Sequence, residues 1–279
     1  MRAALLIVSL ASVAVATFGV ALVYELPSTD SALSHAQGVI LPSDEYVWRC
    51  PVFATTSDTV TGCDEVTTVI HVDRADFESS MLSTSVRSGT VFYASPVNLV
   101  DPSDRHVLLV RDVVEAEIAA LEGSTGHVYT DYQRLMCALS FVRSLGYVGD
   151  ADLYGADEFY AKPLEVLYAH GGDCEDVSVL FCSLAVSMGY DAVLLDYPGH
   201  VAAGVVLDGD HAGVTYSDGS ATYHLCECTS LTGSFAPVRL DSSSPVGGSD
   251  APVVRHIAAS VAGDVVEAYR NLIQRTLSI

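Results

Sequence analysis

Residues 171–190, GGDCEDVSVLFCSLAVSMGY, put a cysteine among three acids at the start of a predicted helix. A thiol acts as nucleophile or metal ligand in its thiolate form, and neighbouring carboxylates oppose that ionisation. Asp173 stands where an N-cap is expected, and Asp176 three residues on gives an acidic variant of the capping box. Cys174 then falls in the first turn, where unsatisfied N–H groups and the positive end of the helix dipole favour an anion. On this reading the flanking acids point outward and cap the helix while the thiol faces a cleft. The dipole contributes only about 0.3–1 kcal/mol at an exposed site, less than one pKa unit, so an activated thiol needs a base or cation close by.

His200 is the candidate base. It opens the apolar stretch HVAAGVV after a Pro198-Gly199 turn, and a helix, strand, turn, strand succession returns it to the helix start. A cysteine at a helix N-terminus beside a strand histidine is a general arrangement for an activated thiol nucleophile. Glu227, in YHLCECT, is an acid in a stretch of apolar and small residues. Its carboxylate is costly there without a partner, and the imidazole N–H of His200 can supply one. Cys137 and Cys182 lie on apolar helix faces and read as core packing; His211 and His224 read as surface or packing residues. A zinc set drawn from Cys174, His200, Cys226 and Cys228 is disfavoured, because Cys226 and Cys228 alternate to the strand face opposite Glu227 and no CxxC pair exists. DADLYGADE has the flavour of a calcium loop without its closing carboxylate. No metal or cofactor is therefore assigned.

Several elements must position these groups. The stretch DYQRLMCALSFVRSL (131–145) has Leu135, Leu139, Val142 and Leu145 at helical steps before Gly146. Residues 146–172 form a long connection rich in Tyr, Asp and Gly, with a short helix starting at Pro163. Residues 174–188 carry Val177, Leu180, Phe181, Leu184 and Met188 on one stripe, with Gly189 as the stop. DAVLLD, HVAAGVV and ATYHLCECT read as strands. Upstream, EVTTVIHV (65–72), GTVFYA (89–94) and RHVLLV (105–110) also read as strands, followed by a helix over 111–121. Residues 26–110 are thus expected to be a mainly β section, 111–240 the catalytic domain, and 241–279 a linker and an amphipathic C-terminal helix.

The chain has 279 residues, half of them hydrophobic, and a formal net charge of -22. A single lysine, Lys162, and that acidity exclude phosphate-backbone binding, so nucleic acid is not an expected partner. Residues 3–24 carry no charge over a length that can cross a bilayer, with Arg2 before them and Glu25 and Asp30 after. A signal anchor is expected within residues 1–25; a cleaved signal peptide ending at the A-x-A-like Ala14–Ala16 is the alternative. Either places the domain outside the cytoplasm, membrane-anchored or secreted. Cys50 and Cys63, in turn-rich surroundings, are expected to form a disulfide there.

The ordered set GGDCEDVSVLFCSLAVSMGYDAVLLDYPGHVAAGV, then YHLCECT, resembles the transglutaminase-like superfamily, in particular its archaeal and bacterial cysteine-protease-like branch. The upstream FVRSLGYVGDADLYGADEFYAKPLEVL is similar to that branch too, so the resemblance covers about residues 130–230. It implies an α+β, papain-like core with the catalytic helix packed on an antiparallel sheet. It further implies Cys174 as nucleophile, His200 as general base and acid, and Glu227 as the orienting acid, where many transglutaminases have Asp. The activity expected is hydrolysis of a peptide or amide in a protein or peptide substrate through a thioester. Transfer of the acyl group to an amine, which crosslinks, and a binding module without turnover are the alternatives.

Overall fold

A computed structural model describes residues 29–83, 95–229 and 251–257. The expected anchor, the strand at 89–94, most of the linker and the C-terminal helix lie outside the described residues. No helix among those described is long and apolar enough to cross a membrane.

The described chain begins with helix α1 (Thr29–Val39), followed by a hairpin of β1 (Glu45–Phe53) and β2 (Val60–Val69), and helix α2 (Arg74–Leu82). A 3-10 turn (Pro96–Leu99) leads to α3 (Arg105–Thr125), and α4 (Asp131–Arg143) follows. This corrects two expectations. RHVLLV is the first part of α3 and not a strand, so the expected boundary between 110 and 111 cuts through one helix. The section before it is mixed helix and strand. Six residues show an apolar run with no period. The helical period emerges only when Val107 and Val110 are read together with Val114, Ile118 and Leu121, all buried. Asp104 fixes the start by accepting from the N–H groups of His106 and Val107, and Gly126, at φ +78°, ends the helix.

The two sections also share one core. Trp48, Phe53, Phe77 and Met81 pack in the same cluster as Leu135, Phe141, Leu167 and Leu180. The α4 helix, started by a Thr130–Gln133 capping box, lies against β1 and buries Leu135, Leu139 and Val142 as its spacing requires.

Helix α7 (Cys174–Ser187) packs on a five-stranded antiparallel sheet of order β7-β8-β6-β5-β9, built from β5 (Ala192–Tyr197), β6 (His200–Val205), β7 (Thr215–Ser217), β8 (Thr222–Cys226) and β9 (Val253–His256). Helices α3, α4 and α6 (Pro163–Ala169), the last preceded by the one-turn α5 (Asp150–Leu153), enclose it on other sides. The arrangement is α+β, with the cysteine-bearing helix on an antiparallel sheet as expected.

The expected Cys50–Cys63 disulfide is not formed; all seven cysteines are free. In the hairpin register Cys50 stands opposite Asp64 and Cys63 opposite Pro51. Cys50 turns into the core while Cys63 is exposed, so the two thiols leave the ribbon on different sides. Cys50 instead meets the Cys137 thiol of α4.

Candidate active site

Two glycines set the start of α7. The stub β4 (Gly171–Gly172) runs parallel to β3 (Gly146–Tyr147). A Cβ on Gly171 would lie 2.6 Å from the Gly146 carbonyl oxygen, and one on Gly172 would lie 2.7 Å from the Asp176 Cβ. Only glycine admits this approach, so GG before DCED is a steric requirement of the helix entry. On the sheet, Pro198-Gly199 joins β5 to β6 with Gly199 at φ +74°, and pairs Tyr197 with His200. Strand β8 lies beside β6, with Cys226 opposite Ala203, and Glu227 follows immediately after it.

Cys174 and His200 line one cleft of about 540 Å³, together with Glu158, Tyr160, Glu175 and Arg255. His200 Nε2 lies 2.7 Å from Glu227 Oε2. The other Glu227 oxygen accepts from the Thr229 N–H at 2.9 Å and from its hydroxyl at 2.7 Å. Burial pushes the Glu227 carboxyl up, but the bonds from His200 and Thr229 outweigh it and hold the group below the ordinary glutamate range. Glu227 is therefore a carboxylate that accepts the imidazole N–H at Nε2, which makes Nδ1 the basic nitrogen of a neutral His200.

The surroundings of Cys174 differ from the expectation. Glu175 and Asp176 do not point outward: they are 6% and 1% exposed. Asp173 holds the N-cap position without a side-chain cap bond. Asp176 Oδ1 accepts the Ala161 N–H at 2.7 Å, and the Cys174 thiol donates to Glu175 Oε2 at 3.1 Å. The reason is geometric: α7 is packed by the sheet and by three helices, so the side of its first turn that carries Asp176 meets protein, and Glu175 sits in the wall of the cleft rather than in open solvent. Burial first, and then Glu175, push the Cys174 thiol above its ordinary range; a hydrogen bond from the Val201 N–H opposes them.

Burial also lifts the acids. Asp150 rises to about 8 and Glu175 to about 10, while Glu158, Asp173 and Asp176 shift upward. Single oxygens of Asp150, Asp173 and Asp176 lie within 4.8 Å of one another. Oδ1 of Asp150, Oδ1 of Asp173 and Oδ2 of Asp176 have no hydrogen-bond partner. Protons, or a hard divalent cation that prefers carboxylate oxygen, can satisfy such a set. The zinc alternative finds no support in the placement of its other thiols: Cys226 and Cys228 are buried and donate to the carbonyls of His224 and Cys226. His211 bonds Asp58 at 2.8 Å and stacks on Tyr132, a packing role as read.

Sequence reasoning missed Glu158, Glu175 and Arg255 as cleft residues and Thr229 as the second partner of Glu227. Arg255 gave no local signal, because β9 reaches the sheet across a long sequence gap and there gives its guanidinium to Asp196 at 2.9 and 3.1 Å. Asp150 was signalled by DADLYGADE.

Fold and site together define an α+β protein with Cys174 and His200 on one cleft and Glu227 bonded to the imidazole. Among solved structures the chain is similar to one described as "Crystal structure of a TGase", with a TM-score of 0.34 and 14% identity; the match covers 83% of this chain and 59% of that chain. No protein-family model and no curated protein matches the sequence.

Proposed function

We propose that the protein is a cysteine hydrolase that cleaves a peptide or side-chain amide through a thioester. The observation that carries this reading is the 2.7 Å bond from His200 to Glu227 behind a cleft that also contains Cys174. A carboxylate held ionised in a partly buried setting fixes the imidazole tautomer and stabilises the imidazolium that forms when it takes a proton.

The Cys174 thiol gives its proton to His200 Nδ1 as sulfur attacks the substrate carbonyl. Backbone N–H groups at the start of α7 would stabilise the oxyanion. As the C–N bond breaks, His200 returns the proton to the leaving amine. Water then attacks the thioester, with His200 again as base, and releases the acid and the thiol. An amine in place of water would crosslink; hydrolysis is favoured because water is far more concentrated than any amine without a dedicated acceptor site. Export on an N-terminal anchor belongs to the same proposal and rests on the uncharged run of residues 3–24; release of the full-length chain from membranes by alkaline carbonate would overturn it.

The test is a peptide-library digest with the soluble portion, comparing wild type with Cys174→Ala. Cleavage products absent from the variant support the reading; identical digests overturn it.

A further inference from the structure

Ser178 lies four residues after Cys174, on the same face of α7, and is fully buried. Its hydroxyl donates to the Val201 carbonyl at 3.2 Å. Val201 follows His200 on β6. The cysteine helix is therefore tied, one turn after Cys174, to the residue next to the histidine. Helix and histidine strand thus meet at one hydroxyl, next to His200 on one side and one turn from Cys174 on the other.

We propose that Ser178 is a positioning residue that sets the His200 strand against Cys174, so that imidazole and thiol act as a unit. The inference rests on the hydrolase reading above. Other buried serines of α7 differ in kind. Ser187, equally buried, donates only to Leu184 of its own helix, at 2.7 Å. Ser183 donates to Val179 and accepts the Asp101 N–H, away from the triad strands. Because the Val201 and Ser178 backbones belong to different elements, loss of this bond frees a relative shift of helix and strand. A misplacement of about 1 Å costs on the order of 10²-fold in a reaction that needs alignment.

The experiment measures coupling between His200 and Cys174 directly. Iodoacetamide alkylation of Cys174, followed by peptide mass mapping at one fixed pH, gives the ratio of rates between wild type and His200→Ala. If the imidazole serves the thiol, that ratio is about tenfold or more. The same ratio is then taken in Ser178→Ala, Ser178→Thr and Ser187→Ala backgrounds. Ser178→Ala should bring it close to unity, Ser178→Thr should restore most of it through the retained hydroxyl, and Ser187→Ala should leave it at the wild-type value. Ser178→Cys, which keeps the side-chain volume with a far weaker donor, takes the place of the alanine variant should that variant melt below the assay temperature.

A Ser178→Ala ratio equal to wild type, or an equal loss in Ser187→Ala, overturns the positioning role and leaves the hydrolase reading standing. A ratio near unity in the wild-type background itself overturns the triad, and the positioning role falls with it.

Discussion

The Cys174 thiol donates to Oε2 of its chain neighbour Glu175 at 3.1 Å. That contact, with burial, keeps the sulfur protonated at rest and sets what activation must overcome. An exposed thiol at a helix start would gain from the dipole alone. Here the larger effects run the other way: desolvation and the adjacent acids raise the thiol, while the Val201 N–H is the counterweight. In the proposed reaction this favours proton transfer to His200 in step with attack over a standing ion pair.

Cys174→Ala and His200→Ala should each lower turnover by on the order of 10³-fold or more, and combining them should cost little beyond either alone, because the groups act as a unit. Glu227→Gln should retain more activity, losing about tenfold or more, since size and one hydrogen bond survive while the charge behind the imidazolium is lost. Steady-state rates with a cleaved library peptide decide this. A double variant whose losses add up in full would show that Cys174 and His200 act separately.

Glu175→Gln keeps an acceptor beside the sulfur and removes a carboxyl that ionises only near about 10. Alkylation of Cys174 should therefore differ little between variant and wild type at about pH 8, and be several-fold faster in the variant at about pH 11, where wild-type Glu175 carries the negative charge that makes the thiolate costly. Iodoacetamide rates across that range measure it. A slower variant would mean that Glu175 helps ionise the thiol.

Asp150, 4% exposed, has its carboxyl raised to about 8, with burial as the main cause and Asp173 the next. Between the ordinary aspartate value near 4 and about 8, the folded state holds a proton that the unfolded chain has released. Stability from this group is thus complete below pH ~4 and declines as pH rises toward 8, by up to about 1.4 kcal/mol per pH unit for one proton. Melting temperature should fall from pH 5 to pH 8, and Asp150→Asn should flatten part of that slope. Calcium or magnesium at pH 8 should recover stability if a cation replaces the protons among Asp150, Asp173 and Asp176. A melting temperature that climbs over this range would contradict the buried-acid account.

Cys63 is exposed, whereas Cys50 and Cys137 are fully buried and in contact. In native protein under reducing conditions, Cys63 should alkylate at least about tenfold faster than either, and Cys50 and Cys137 should react only on unfolding. Time-resolved mass mapping checks the order. A Cys50–Cys63 crosslinked peptide in non-reducing digests would mean that the hairpin register differs from the one described.

Much of the candidate site was legible in the amino-acid sequence because the informative signals are local. The GGDC entry, the buried stripe from Val177 to Met188, the Pro198-Gly199 turn and an acid stranded in YHLCECT each carry their physical reason within a few residues. Those signals pointed to Cys174 and His200, which line one cleft, and to Glu227, which bonds the imidazole. Tertiary structure decided everything that depends on what surrounds an element. Whether Glu175 and Asp176 face water could not be read from their spacing, because enclosure of α7 by α3, α4, α6 and the sheet turns them inward and raises their pKa values. RHVLLV was ambiguous as six residues and became helix through its buried continuation in α3. The thiol partner of Cys50 came from a helix 87 positions away rather than from its hairpin mate, since side-chain alternation on a strand fixes the face and long-range packing selects the neighbour.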